Sequence, residues 1–246
     1  MILEVCVDSV ESAVNAEKGG ADRIELCGDL IVGGITPSLA LYERIREKTS
    51  LPIHVLLRPR FGDFLYSEEE LEILIRQARM FAKAGADNLV IGCLTPDGRL
   101  DLEAMKKIID VANGTPVNLH RAFDMCADPM KTFEKARSMG IDTILTSGQA
   151  PDCLAGSGLI ADLVSLAGQD MTILVGAGVS APVIEQMHRL TRAKAYHMSG
   201  KITMNSRMAF RRETVHMGLP GLSEYEIWQT GEENIRKARE VLDRLV

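Results

Sequence analysis

No apolar stretch in this 246-residue chain approaches the roughly 20 residues that cross a bilayer, and no basic run exceeds the length of Arg211-Arg212. With a formal charge of -6 and a pI near 5.5, the chain offers no electrostatic footprint for nucleic acid or for an anionic membrane. Small molecules are therefore the expected partners. The Met1-Ile-Leu-Glu4 opening has neither the basic nor the apolar region of a signal peptide, so the cytoplasm is the expected compartment. The five cysteines, Cys6, Cys27, Cys93, Cys126 and Cys153, are odd in number, widely spaced and never C-x-x-C. This argues against a disulfide framework and a zinc knuckle and agrees with a reducing compartment. No Pro/Gly/Ser-rich linker divides the chain. No G-x-G-x-x-G follows the first strand pattern, where Val7-Asp-Ser-Val10 stands instead, which weakens a dinucleotide-binding open sheet as the alternative architecture.

What is present is a βα rhythm. The chain is 46% hydrophobic with a mean hydropathy of +0.03, enough for one full core over residues 1–246. Gly20-Ala-Asp-Arg-Ile-Glu-Leu26 is echoed by Gly85-Ala-Asp-Asn-Leu-Val-Ile91 and Gly140-Ile-Asp-Thr-Ile-Leu-Thr146. In each, the glycine suits a left-handed helix end, the aspartate suits a turn, and the apolar run starts a strand. Strands are predicted near 2–6, 23–27, 53–58, 88–92, 116–120, 143–147, 172–176 and 194–198, with helices between them and a last helix near 231–245. Eight such repeats in a chain close to the usual length predict a (β/α)8 TIM barrel. The stretch 201–230 is long for a connection. Pro220-Gly-Leu222, Tyr225 and Trp228 give it apolar anchors for a lid, a partner contact or a packed flap.

Period-2 alternation places Glu4, Glu25, Arg58 and His120 on the strand face opposite their Val, Ile and Leu neighbours. Charged groups are costly to bury unpaired, so their convergence marks a candidate site at the C-terminal rim of the barrel. Glu25 or Glu4 is the candidate general base, His120 its acid or electrostatic partner, and Arg58 or Arg60 the binder of an anionic substrate. Asp124 is a further catalytic candidate at the same rim, and Arg121, Ser147 and Gly148 are anion-binding candidates there. Gly176-Ala-Gly178 with Ser180 at the next helix start, together with His197, Ser199, Gly200 and Lys201, has the character of an anion cradle. Cys6, Cys27 and Cys93 end three strands and place thiols near one rim. His54, His188 and His216 are expected to be structural or solvated, and Met198, Met204 and Met208 to be packing residues.

Long specific strings identify a resemblance. Leu3-Glu-Val-Cys6, Gly19-Gly-Ala-Asp-Arg-Ile-Glu-Leu-Cys27, Gly33-Gly-Ile-Thr-Pro37, Arg58-Pro-Arg-Phe-Gly-Asp-Phe-Leu-Tyr66, His120-Arg-Ala-Phe-Asp124 and Thr146-Ser-Gly148 stand in order over about residues 1–200. The chain resembles the CutC family, the copper homeostasis proteins. The resemblance implies a (β/α)8 barrel, a cytoplasmic location, a homodimer or higher homo-oligomer, and Cu(I) binding, with Cys6 and Cys27 as candidate thiolate ligands. The residues themselves speak equally for an enzyme or a noncatalytic binding barrel acting on a small phosphorylated or carboxylated metabolite. The glycine segments near 176 and 197–200 fit the family pattern only loosely.

Overall fold

The computed structural model describes residues 1–212, 214–218 and 221–245. Eight parallel strands close into a barrel: β1 (Ile2–Val7), β2 (Arg23–Leu26), β3 (Ile53–Leu56), β4 (Asn88–Ile91), β5 (Val117–Leu119), β6 (Thr143–Thr146), β7 (Thr172–Val175) and β8 (Ala195–Met198). They pair in sequence order, and β8 returns to β1 with His197 opposite Glu4. Around them lie α1 (Val10–Lys18), α2 (Leu39–Arg46), α3 (Glu68–Lys83), α4 (Leu102–Val111), α5 (Pro129–Ser138), α6 (Ser157–Ala167), α7 (Ala181–Thr191) and α8 (Glu232–Arg244). The predicted fold class holds. None of the described helices is long and apolar enough to cross a membrane.

The repeated Gly-x-Asp joint has a clear physical basis. Gly20, Gly85 and Gly140 take φ of +88°, +84° and +78°, ending their helices in the left-handed region that a side chain disfavours. Two of the aspartates then hold the start of a neighbouring strand. Asp22 Oδ2 accepts the Leu3 amide at 2.6 Å, and Asp87 Oδ2 accepts the Ile53 amide at 2.8 Å. Helix starts are capped by Ser9, Ser38, Ser67, Asp101 and Asp128, and Ser67 forms a capping box with Glu70. Ser180 precedes α7 without making the side-chain cap expected of it.

The two faces of the strands bury different things. Leu3, Val5, Val7, Ile24, Leu26, Ile53, Val55, Leu89 and Ile91 pack outward against the helices in the main apolar core. The inward face is only partly apolar. One small cluster joins Cys6, Cys27, Leu56 and Val90, and another joins Leu145, Leu174 and Ala195. The rest of the interior is polar: Glu4, Glu25, His54, Asn88, Asn118 and His120 are all at most 7% exposed.

Residues 201–230 are not the loop that composition suggests. Lys201–Asn205 and Glu226–Thr230 form an antiparallel pair, β9 and β10, separate from the barrel sheet. Its root is fixed by Asn15 Nδ2 donating to the Thr230 carbonyl at 3.0 Å and the Thr230 amide donating to Ser12 Oγ at 3.1 Å. Pro220, one of the expected anchors, lies outside the described residues. Strands β3 and β5 also end earlier than predicted. Arg58 follows β3, and His120 opens a 3-10 turn over Arg121–Met125.

Two glycines separate backbone cost from steric cost. At Gly85 no atom lies within 4 Å of an added Cβ, so Gly85→Ala is expected to lose about 1–2 kcal/mol from φ alone. At Gly148 (φ +73°) the Cβ meets the Gly156 carbonyl oxygen at 2.2 Å, and Gly148→Ala should lose about 3 kcal/mol or more. Urea unfolding of both variants checks the order.

Candidate functional site

The interior charges are organised by Glu4. Its Oε2 accepts from Arg23 Nε at 2.6 Å and lies 3.4 Å from His54 Nδ1, while its Oε1 lies 2.8 Å from His197 Nδ1. The other nitrogen of His197 faces Glu25, with Nε2 3.8 Å from Oε2. Glu25 Oε2 in turn accepts from the Cys27 thiol at 3.4 Å. One donor atom each from Glu4, Glu25 and His197 lie within 4.8 Å of one another, so a single ion can touch all three.

Environment separates these groups. Burial alone would push Glu4 up, but hydrogen bonds from His197 and His54 and the charge of Arg23 hold it well below the usual carboxylate range. Burial likewise disfavours a charged His197. The Cys6 sulfur and Glu25 beside it, with Glu4, overcome that and hold the imidazole well above its ordinary value. Glu25 goes the other way: burial raises it, the neighbouring Glu4 charge adds to the rise, and His197 offsets only part. Burial, Glu25 and Cys6 push the Cys27 thiol well up. The result is a cation between two buried carboxyls of unequal acidity.

Above this cluster a cavity of about 410 Å³ opens at the C-terminal ends of the strands. Glu25, His197 and Cys6 form its floor, Arg58, His120 and Arg121 one side, and Gly178, Ser199, Lys201 and Trp228 the other. Lys201 Nζ stands 3.3 Å over the Trp228 ring, so the root of the hairpin supplies a wall. A second cavity of about 420 Å³ lies at the opposite barrel end against Arg23, His54, Asn88 and Asn118.

The structure brings Glu4, Glu25 and His197 into contact and sets Arg58, His120, Arg121, Gly178 and Ser199 around the same cavity. It does not pair the residues as expected. The imidazole between the carboxylates is His197, not His120, and the guanidinium on Glu4 is Arg23, not Arg58. Arg60 points away, bonding Glu70 at 2.6 Å and Asp63 at 3.0 Å. Asp124 accepts from Thr146 Oγ1, from both Ser147 donors and from the Gln149 amide, so it ties the loop after β6 to the 3-10 turn. Ser147 and Gly148 belong to that knot and are not cavity lining, because the Gly148 amide donates to Thr146 Oγ1 at 2.8 Å. Of the expected anion cradle, the Gly176 amide is taken by the Thr146 carbonyl at 2.9 Å, and the Gly200 carbonyl anchors Gly231 and Asn234. Cys93 turns outward into the main core, where burial pushes its thiol up to about 12, so only Cys6 and Cys27 share the interior cluster. Arg23 is not singled out by the sequence reading, although it shares the parity of Glu25; His54, expected to be structural or solvated, is buried beside Glu4.

The arrangement has a pH signature. Glu4, held low, contributes stability present above about pH 4.3 and lost as pH falls through its folded value. His197, held high, contributes stability present below about pH 6.5 and lost as pH rises through its folded value. Glu4→Gln should lower stability by about 3–5 kcal/mol at neutral pH, because it leaves buried cations unpaired, and should bring the His197 titration down. Urea unfolding at several pH values and NMR titration of the His197 ring check both.

A family model described as the CutC family matches residues 1–202. The copper homeostasis protein cutC homolog of Homo sapiens is 41% identical over 236 residues, covering 96% of this chain and 86% of the human protein. A family protein CutC of Photobacterium profundum is 38% identical and covers 95% of each chain. The crystal structure of a CutC protein from Streptococcus agalactiae superposes with a TM-score of 0.76 at 29% identity, covering 81% of this chain and 98% of that one.

Proposed function

The chain belongs to the CutC family of copper homeostasis proteins, and we propose that its barrel mouth is an acid–base site for a small anionic metabolite. The observation that carries this reading is His197 held between Glu4 and Glu25, whose environments push the two carboxyls in opposite directions. A pair of titratable groups driven apart in this way suits one to stay ionised as a support and the other to exchange a proton. Glu4 is the support, orienting His197 through its Nδ1. Glu25 lines the cavity and is the proton-exchanging group. Arg58, Arg121 and Lys201 on the same walls favour an anionic ligand. Small phosphorylated or carboxylated compounds fit about 410 Å³.

A second reading treats copper as cargo, as the names of the relatives suggest. The observation in its favour is that Cys6 and Cys27 share one interior cluster and both adjoin the Glu25–His197 pair. Soft sulfur with imidazole suits Cu(I). Glu25 and burial keep the proton on Cys27, so the ion must displace it.

Thermal melting of the metal-free protein separates the two. A library of small phosphorylated and carboxylated metabolites is expected to contain a compound that raises Tm. With that compound, Glu25→Gln should retain binding and lower turnover about 10²- to 10⁴-fold. A library without any stabilising compound removes the first reading. For copper, stoichiometric Cu(I) uptake under reducing conditions should strengthen with rising pH, release protons and disappear in Cys27→Ser. Uptake that is absent, or indifferent to Cys27, removes the second.

A further inference from the structure

Two buried donors on one side of the mouth have no bonding partner among the described residues. His120 is 4% exposed, and its Nδ1 accepts the Ala122 backbone amide at 3.1 Å. That bond requires an unprotonated Nδ1, so the neutral ring carries its hydrogen on Nε2. Nε2 is buried and has no partner among the described residues. Arg58 is 8% exposed, and its terminal nitrogens donate to the carbonyls of Gly33 and Gly34 at 3.3 and 3.1 Å and of Gly62 at 2.6 Å. These bonds fix the guanidinium and leave Nε–H buried and unpaired among the described residues, with the Tyr66 hydroxyl, itself buried and unpaired, beside the guanidinium. An unmet buried donor costs about 1–3 kcal/mol, so two at the wall of one cavity ask for an acceptor.

The surroundings fix both groups. The Phe64 ring lies 4.8 Å from the His120 ring and 5.0 Å from the Arg58 guanidinium carbon, bracing one against the other. Gly92 clears the space the imidazole uses, since a Cβ there would fall 2.6 Å from His120 Cε1. The charge of Arg58, added to burial, holds the His120 pKa down at about 3, in keeping with the neutral tautomer. A rigid neutral imidazole and a fixed guanidinium braced on one Phe64 ring, each with an unpaired N–H, are the kind of donors that stabilise charge growing on a carbonyl oxygen.

We propose that His120 Nε2 and Arg58 Nε form an oxyanion subsite for one oxygen of a small carbonyl or carboxylate compound, and that the reaction run against it is proton abstraction next to that carbonyl. The subsite stands on its own geometry, whereas the reaction rests on the acid–base reading of Glu25 and His197. In the step, the C–H bond beside the carbonyl breaks and its proton passes to the Glu25 carboxylate. The C–H electron pair becomes the carbon–carbon double bond of an enolate. The carbonyl π pair moves to oxygen, where the two N–H donors meet it. Return of the proton, or of a solvent deuteron, to the same carbon completes a redox-neutral exchange.

Oxalate, a planar dianion resembling the enolate of a 2-oxo acid, is the binding probe, measured by calorimetry on the intact protein. Wild type is expected to bind it, and His120→Phe to weaken binding ~10- to 100-fold. His120→Gln, which keeps an N–H donor, should recover part of the loss. Thermal melts confirm that each variant folds. No oxalate binding by wild type, or equal binding by His120→Phe and wild type, overturns the subsite. In D2O, pyruvate and dihydroxyacetone phosphate are followed by proton NMR for protein-dependent loss of the C–H signals next to the carbonyl. Exchange that disappears in both Glu25→Gln and His120→Phe supports the whole proposal. Oxalate binding through His120 with no exchange overturns the reaction and leaves the subsite standing. Exchange that needs Glu25 and ignores His120 overturns the subsite and leaves the acid–base reading intact.

Discussion

A carboxylate at 1% exposure in the middle of a barrel is the constraint on which this structure turns. Glu4 cannot be ionised there without partners, and its partners come from three other strands: Arg23 from β2, His54 from β3 and His197 from β8. Each partner is itself a group that resists burial, so each needs Glu4 in return. The network is costly as packing, since hydrophobic residues of similar volume often serve stability as well or better. Its product is position. His197 is held in one orientation with one nitrogen on Glu4 and the other toward Glu25, and Glu25 stands at the cavity floor with a carboxyl that burial has made less acidic.

The apolar driving force has been moved outward to make room for this. Barrels of this kind commonly fill their interior with branched aliphatic layers. Here the aliphatic residues of β1 to β5 face the helices, and the inward face keeps only two small apolar clusters. Polar interior residues continue from the Glu25–His197 pair through Glu4 and His54 to Asn118 and Asn88, with Asn118 Nδ2 3.3 Å from His54 Nδ1 and Asn88 Nδ2 3.1 Å from Asn118 Oδ1. Hydrogen bonds among these side chains replace the packing that the interior gave up.

Much of this was legible in the chain because strand alternation is a rigid rule. Glu4 and Glu25 had to share a face, and the three Gly-x-Asp joints marked where β2, β4 and β6 began, so the βα rhythm and the identity of the mouth followed. Partner choice did not follow. Alternation says which face a residue occupies, and the barrel's stagger decides which neighbour it meets. His197 therefore reached Glu4 across the β8–β1 closure, while His120, on the same inward parity, turned its Nδ1 to the Ala122 amide of its own turn. Arg58 lines the cavity as expected, but its terminal nitrogens are held by the carbonyls of Gly33, Gly34 and Gly62, which strand parity does not foretell. Asp124 and Gly148 read as site residues because conspicuous polar strings surround them, yet Asp124 bonds the loop after β6 and Gly148 bonds Thr146 of its own segment. The hairpin was hidden because turn residues and exposed positions dominate residues 201–230, and pairing between β9 and β10 leaves only a weak apolar alternation.

That hairpin divides the labour at the mouth. Its two strands pair only with each other, yet their root carries Lys201, Trp228, Gln229 and Thr230 into the cavity wall and is fastened by Ser12, Asn15 and Ser199. The strands that hold Glu4, Glu25 and His197 take no hydrogen-bond register from it. Length and sequence beyond the root can therefore drift, over generations, without disturbing the charges at the barrel floor. The wall that the hairpin lends to the cavity and the charge network beneath it are therefore separable in sequence.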